Sequence, residues 1–274
     1  MKKVGFFLSL IVAFVALLII GPGEAHSKNS LTIGASNVPH AQILNHIKPE
    51  LEKEGVHLNI RVFQDYVLPN KALASGELDA NYFQTVPFLQ QWNKQNNGHL
   101  VNVGSVHLEP MGIYSKKVKR LQDLKPNSTI LVSNNAPDYG RILELFQQAG
   151  LIKIKKGVNI TQANFSDIAS NPRHLVFKNS YEPKLLPEIY QNGEGDAVAI
   201  NANYAVQSGL NPKKQAIALQ KSSPDSPYNN IVAVRNGDQN KKNIKKLMKV
   251  LESKPVQKWI YDHYKGGVLP AHKY

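Results

Sequence analysis

Twice along this chain a short apolar run of strand length gives way to apolar residues at helical spacing, and that repetition restricts the fold more than any other feature. In the first pass, residues 31–35 alternate as a strand. Pro39 suits the opening turn of a helix, Ile43, Leu44, Ile47 and Leu51 give that helix a buried stripe, and Gly55 ends it. Residues 56–63 read as a second strand, 71–78 as a short helix closed by Gly76, and 79–83 as a third strand. A helix over 87–97 and a strand over 100–106 follow.

The pattern restarts near residue 112, with a strand over 130–133, a helix over 137–149 and a strand over 196–200. A strand over 228–235 and helices over 241–252 and 255–264 complete the chain. Strands alternating with helices predict parallel sheets with right-handed crossovers. If the last elements return to the first unit, two connections join two α/β lobes and leave a cleft between them. The expected lobes are 31–111 with 228–274, and 112–227. At 274 residues each lobe is long enough to bury its own core.

Residues 1–25 stand apart. Lys2 and Lys3 precede an uncharged apolar stretch over 4–20, and Gly23-Glu24-Ala25 places small residues just beyond it. This is the pattern of a secretory signal, with cleavage expected after Ala25; the competing reading is an uncleaved membrane anchor. Either places the rest of the chain outside the cytoplasm. The sequence contains no cysteine, which excludes disulfides, thiolate metal sites and a lipid anchor attached through cysteine. Net charge is +13, and removing residues 1–25 takes away two lysines and one glutamate to leave +12. An exported basic protein is drawn to anionic membrane or cell-wall polymers. No basic stretch is interleaved with aromatics, so nucleic acid is not an expected partner.

Residues 66–84 concentrate Tyr66, Tyr82, Phe83, Asn81 and Gln84 around one strand, and aromatic and amide groups at a strand's carboxyl end mark the ligand crevice of an α/β sheet. There is no Gly-x-Ser-x-Gly, no His-Glu-x-x-His and no glycine pattern for phosphate or dinucleotide, so neither an enzyme nor a cofactor is expected. His107 and Glu109 stand two apart. No third ligand is spaced to join them, and the pair reads as a hydrogen-bonded histidine beside a crossover strand rather than a metal site. Arg141, following Asn135-Ala136-Pro137-Asp138-Tyr139-Gly140 at a helix start, adds a guanidinium to an end that favours anions; the bland alternative is a surface arginine. Asn201, at the end of the strand over 196–200, reads equally as a ligand contact or a turn residue.

Pro39-His40-Ala41, Asp65 through Asn70, Gly76 through Asn81 with Phe83-Gln84, His107 through Pro110, Asn135 through Arg141, Ile200-Asn201 with Tyr204, Ser226 through Tyr228 with Asn230, and Gly266-Gly267 stand in order along the chain. Together these motifs resemble the NlpA/MetQ-type substrate-binding proteins of methionine ABC importers. The resemblance implies a type II periplasmic-binding-protein fold. It further implies an amino acid or dipeptide, methionine or a relative, handed to a membrane permease driven by a separate ATPase. On matched positions Arg141 and Asn201 would take the ligand carboxylate, Asn230 would hold the polar end, and Tyr66 and Phe83 would line the side-chain pocket. Thr85, His107 and Asn135 complete the implied ligand set. Many relatives carry histidine where this chain has Thr85, so specificity is expected to differ there. A basic adhesion protein on the same fold, retained at the wall, is the reading from another class.

Overall fold

The computed structural model describes residues 29–221, 223 and 226–274; the expected signal segment, 1–25, lies outside them. Strands β1 (Ser30–Ser36), β2 (His57–Phe63), β3 (Ala80–Thr85) and β4 (Leu100–Leu108) come first. After a crossing of a few residues follow β5 (Gly112–Tyr114), β6 (Thr129–Ser133), β7 (Lys153–Ile154), β8 (Ile168–Ser170), β9 (Val176–Tyr181), β10 (Ala197–Ile200) and β11 (Ala218–Leu219). The chain then crosses back to β12 (Asn229–Arg235) and β13 (Leu269–Pro270).

These strands form a six-stranded sheet ordered β13-β4-β12-β3-β1-β2 and a five-stranded sheet ordered β11-β5-β10-β6-β9, with β7 and β8 a separate pair. The fold is therefore α/β with two lobes, joined by two crossovers. The parallel pairing expected from the strand–helix alternation holds for β1 with β2 and β3 and for β6 with β9 and β10. It fails at β12, which enters antiparallel between β3 and β4. A strand arriving from the other lobe enters from the opposite end, and reversing its direction is what lets it fill the gap.

The helix Gln42–Lys53 buries Ile43, Leu44, Ile47 and Leu51 against β1 and β2, and Gly55, at φ +74°, lets the chain turn out of it. Each of these four side chains is essentially inaccessible, and burial of that kind contributes about 1.5–3 kcal/mol apiece. The second lobe has its own core, in which Ile142, Leu143 and Phe146 of the helix Tyr139–Gln148 pack on Ile130 and Val132 of β6.

Candidate ligand cleft

Between β3 and β12 the register jumps from Val232↔Tyr82 to Ile231↔Gln84, so Phe83 has no partner on β12. Such a bulge inserts one residue and reverses the alternation beyond it. Asn81 and Gln84 consequently share a face, and their amides interlock with Asn70: Gln84 Nε2 donates to Asn70 Oδ1 at 2.8 Å and to Asn81 Oδ1 at 2.9 Å, and Asn70 Nδ2 donates to Gln84 Oε1 at 2.8 Å. The amides clustered in this stretch thus chiefly brace the strand end, while the aromatic rings form the cleft wall. Tyr66, Phe83 and Phe88 meet with ring centroids 5.6–6.2 Å apart, and Tyr204 of the other lobe lies 5.2 Å from Tyr66.

The opposite wall is polar and centres on Asp138. Arg141 Nε and Nη2 donate to its Oδ1 at 2.9 and 2.5 Å, while Asn135 Nδ2 and Asn201 Nδ2 donate to its Oδ2 at 2.6 and 2.8 Å. Arg141 Nη1 also donates to the Glu109 carbonyl at 3.1 Å. Three of the five guanidinium N–H groups are thereby used; the other two have no acceptor among the described residues. Arg141 is 4% exposed, so the surface-arginine alternative is excluded. Because a carboxylate only accepts, Asn201 must turn its NH₂ to Asp138, and its buried Oδ1 has no donor among the described residues.

Tyr66, Phe83, Thr85, Asn135, Arg141, Asn201 and Asn230 all border one cavity, joined by Glu109, Asp138, Gln84 and Phe88. His107 is not on that wall. It stands behind Glu109, where Tyr82 O–H donates to its Nδ1 and its Nε2–H donates to Glu109 Oε1 at 2.8 Å. His40, brought by the segment before the first helix, is the third member that the spacing of His107 and Glu109 could not show. Ligand-type atoms of His40, His107 and Glu109 lie within 4.8 Å of one another, compact enough for a metal. Hydrogen bonds already engage them: His40 Nε2–H meets Asn230 Oδ1 at 2.8 Å, and Glu109 Oε2 accepts the Asn203 backbone N–H at 2.9 Å. Burial lowers the pKa of His40 to about 4, against the pull of Glu109, and that of His107 to about 3. Burial also raises Glu109, opposed by His40 and Arg141.

The lobes touch across the cleft. Tyr66 O–H donates to Asn203 Oδ1 at 2.7 Å and Tyr204 O–H to the Gln64 carbonyl at 3.2 Å. The cavity between the walls measures about 30 Å³, so the cleft is closed. For Asp138 the sequence offers only an acidic residue three before an arginine at a helix start, and nothing in it marks Asn203.

The NlpA lipoprotein family model matches residues 31–272, essentially the whole of both lobes. The chain belongs to the NlpA lipoprotein family. It is 44% identical to the methionine-binding lipoprotein MetQ of Bacillus subtilis strain 168, across 99% of each chain. Among solved structures it is similar to a pheromone cOB1 precursor/lipoprotein of the YaeC family from Enterococcus faecalis V583, at 54% identity and TM-score 0.84, covering 88% of this chain and 99% of that one. A nutrient-binding protein from Burkholderia cenocepacia bound to methionine matches at 37% identity and TM-score 0.81, with coverage of 88% and 99%. The two solved structures, at TM-scores above 0.8, share the two-lobed fold described above.

Proposed function

We propose that this NlpA-family member is the extracytoplasmic solute-binding protein of an ABC importer, closing lobes 31–111 with 228–274 and 112–227 around methionine or a closely related amino acid or dipeptide. The observation that carries this reading is the buried Arg141 guanidinium, fixed from behind by Asp138 and bordering the cavity with two N–H groups to spare. A ligand carboxylate suits those two donors, and each such charged hydrogen bond contributes about 1.5–3 kcal/mol. Asn201, expected beside Arg141 on the carboxylate, is reassigned in this reading: its NH₂ is held by Asp138, and its Oδ1, without a donor among the described residues, can only accept and suits the ligand ammonium, with Asn135 and Asn230 at the polar end. Tyr66, Phe83 and Phe88 form an aromatic box for an apolar side chain, and a thioether against rings adds about 0.3–1.5 kcal/mol. Thr85, beside Asn230 on the neighbouring strand, shapes the floor.

His107 acts through Glu109 rather than by touching ligand. The family's solute-binding role for transport supports a binding protein over an enzyme. Location outside the cytoplasm, held near the membrane by an anchor at residues 1–25 or by the +12 charge of the remaining chain, accords with lipoprotein relatives; among the described residues no helix is long and apolar enough to cross a membrane. Delivery to a permease with its own ATPase follows from the same reading. Calorimetric titration with L-methionine, D-methionine and Gly-Met tests it. One-to-one saturable binding of at least one is expected, and no heat with any amino acid or dipeptide would refute it.

A further inference from the structure

Behind the crossovers lies a second cavity, about 830 Å³ where the cleft is about 30 Å³. The two share no lining residue. Glu109 borders the cleft, and Pro110, next in the same crossover, borders the rear groove together with Gln220 and Lys221 of the returning crossover. One groove wall belongs to the second lobe through Lys213 and Leu219, the other to the first through Tyr261, Lys265 and Leu269. A rotation about the crossovers that parts the cleft walls must therefore bring the groove walls together.

The groove's chemistry is one-sided. Lys213, Lys221 and Lys265 reach it, and among the described residues none of them has a carboxylate within ion-pair distance. Asp262, the acidic residue on the wall, is already paired with Lys258 at 2.6 Å. Lys213 crosses between the lobes by lying along Gly266, where a Cβ would come within 2.9 Å of its Cδ; the missing side chain there makes room for the lysine stem. Pro110, Leu219, Leu269 and the half-exposed ring of Tyr261 supply an apolar floor.

We propose that this groove is a second ligand site, for a small organic anion of the phosphate class, and that its occupation favours the closed cleft. Lysine ammonium groups are suited to phosphate as mobile point charges, and an anion with an organic group seated between Lys213 and Lys265 fills by its bulk the space into which the walls must move when the cleft opens. The coupling rests on the reading of the cleft as a closing amino-acid site; the anion site itself does not. Because coupling is reciprocal, each ligand tightens the other by the same factor.

Calorimetric titration of the full chain with inorganic phosphate and phenyl phosphate, at ionic strength fixed with sodium chloride and without methionine, reads the groove alone. Saturable binding is expected, tighter for phenyl phosphate and at least about tenfold weaker when Lys213→Ala and Lys265→Ala are combined, the loss of a contact or two to a charged group. Co-sedimentation with phosphatidylglycerol vesicles is the second arm: binding by the vesicles alone, lost in the same double variant, assigns the phosphate to a lipid headgroup. No saturable binding in either arm, or binding indifferent to the lysines, overturns the site. At saturating phenyl phosphate, methionine affinity should rise about fivefold, the lower end of ordinary coupling. Unchanged methionine affinity overturns the coupling, and a cleft that binds no methionine refutes the cleft reading while the anion titration still decides the groove.

Discussion

Arg141 and Asp138 work as a unit, since the carboxylate that orients the guanidinium also gathers Asn135 and Asn201. Replacing Arg141→Ala removes the cationic donors and should weaken methionine binding at least about tenfold, the value of one charged hydrogen bond, as measured by calorimetry. Asp138→Asn keeps the shape but gives the site an amide that can no longer accept all four N–H groups of Arg141, Asn135 and Asn201, so a loss of similar direction and smaller size is expected. Thr85→His adds a ring to the cleft wall opposite this cluster. It should change the ratio of methionine to Gly-Met affinity by roughly fivefold, about one hydrogen bond's worth; an unaltered ratio would show that position 85 does not set specificity.

The helix Tyr139–Gln148 delivers Arg141, and its first turn sits against the Ile160–Gln162 segment so closely that a Cβ on Gly140 would fall 1.6 Å from the Ile160 carbonyl oxygen. Backbone cannot give way as a flexible side chain can. Gly140→Ala should therefore destabilise the protein by about 1–3 kcal/mol or more, read from denaturant midpoints, and weaken ligand binding with it. Elements of this kind were legible from periodicity: the stripe of Ile43, Leu44, Ile47 and Leu51 and the alternation in β1 need nothing beyond local pattern. What escaped was set by distant partners. The antiparallel insertion of β12 depends on a chain returning from the other lobe, strands as short as β5 and β11 carry too few residues for a period, and the bulge at Phe83 appears only in the pairing. The same reason hid His40 beside His107 and Glu109, and made Asp138 look like an ordinary residue of the helix start. Arg141, Asn201 and Asn230 were identifiable chiefly through family resemblance; position along the chain left each with a bland alternative.

At the scale of the whole molecule, the contacts that close the cleft and the buried histidines behind it govern behaviour. Tyr66→Phe removes the cross-cleft bond to Asn203 and should weaken ligand binding by about 1 kcal/mol, mostly as faster release in stopped-flow measurements. His40 and His107 are neutral in the fold, with pKa values lowered from 6.5 to about 4 and about 3, so the unfolded chain binds more protons than the native one over that range. Their contribution to stability is present above pH 6.5 and is lost as pH falls toward 3. Glu109, with its pKa raised, acts in the opposite sense but with one proton against two. Denaturation midpoints should therefore fall between pH 6.5 and 4, and His107→Gln should flatten that slope. The central claim is that a buried guanidinium in a closing cleft recognises the carboxylate of an amino acid. Calorimetry of the unmodified protein with L-methionine and with L-methioninol, which keeps the ammonium and the thioether but lacks the carboxylate, tests it most directly. Binding of methionine with an affinity at least about tenfold above that of methioninol is predicted from the loss of charged hydrogen bonds, and equal affinity for the two would contradict it.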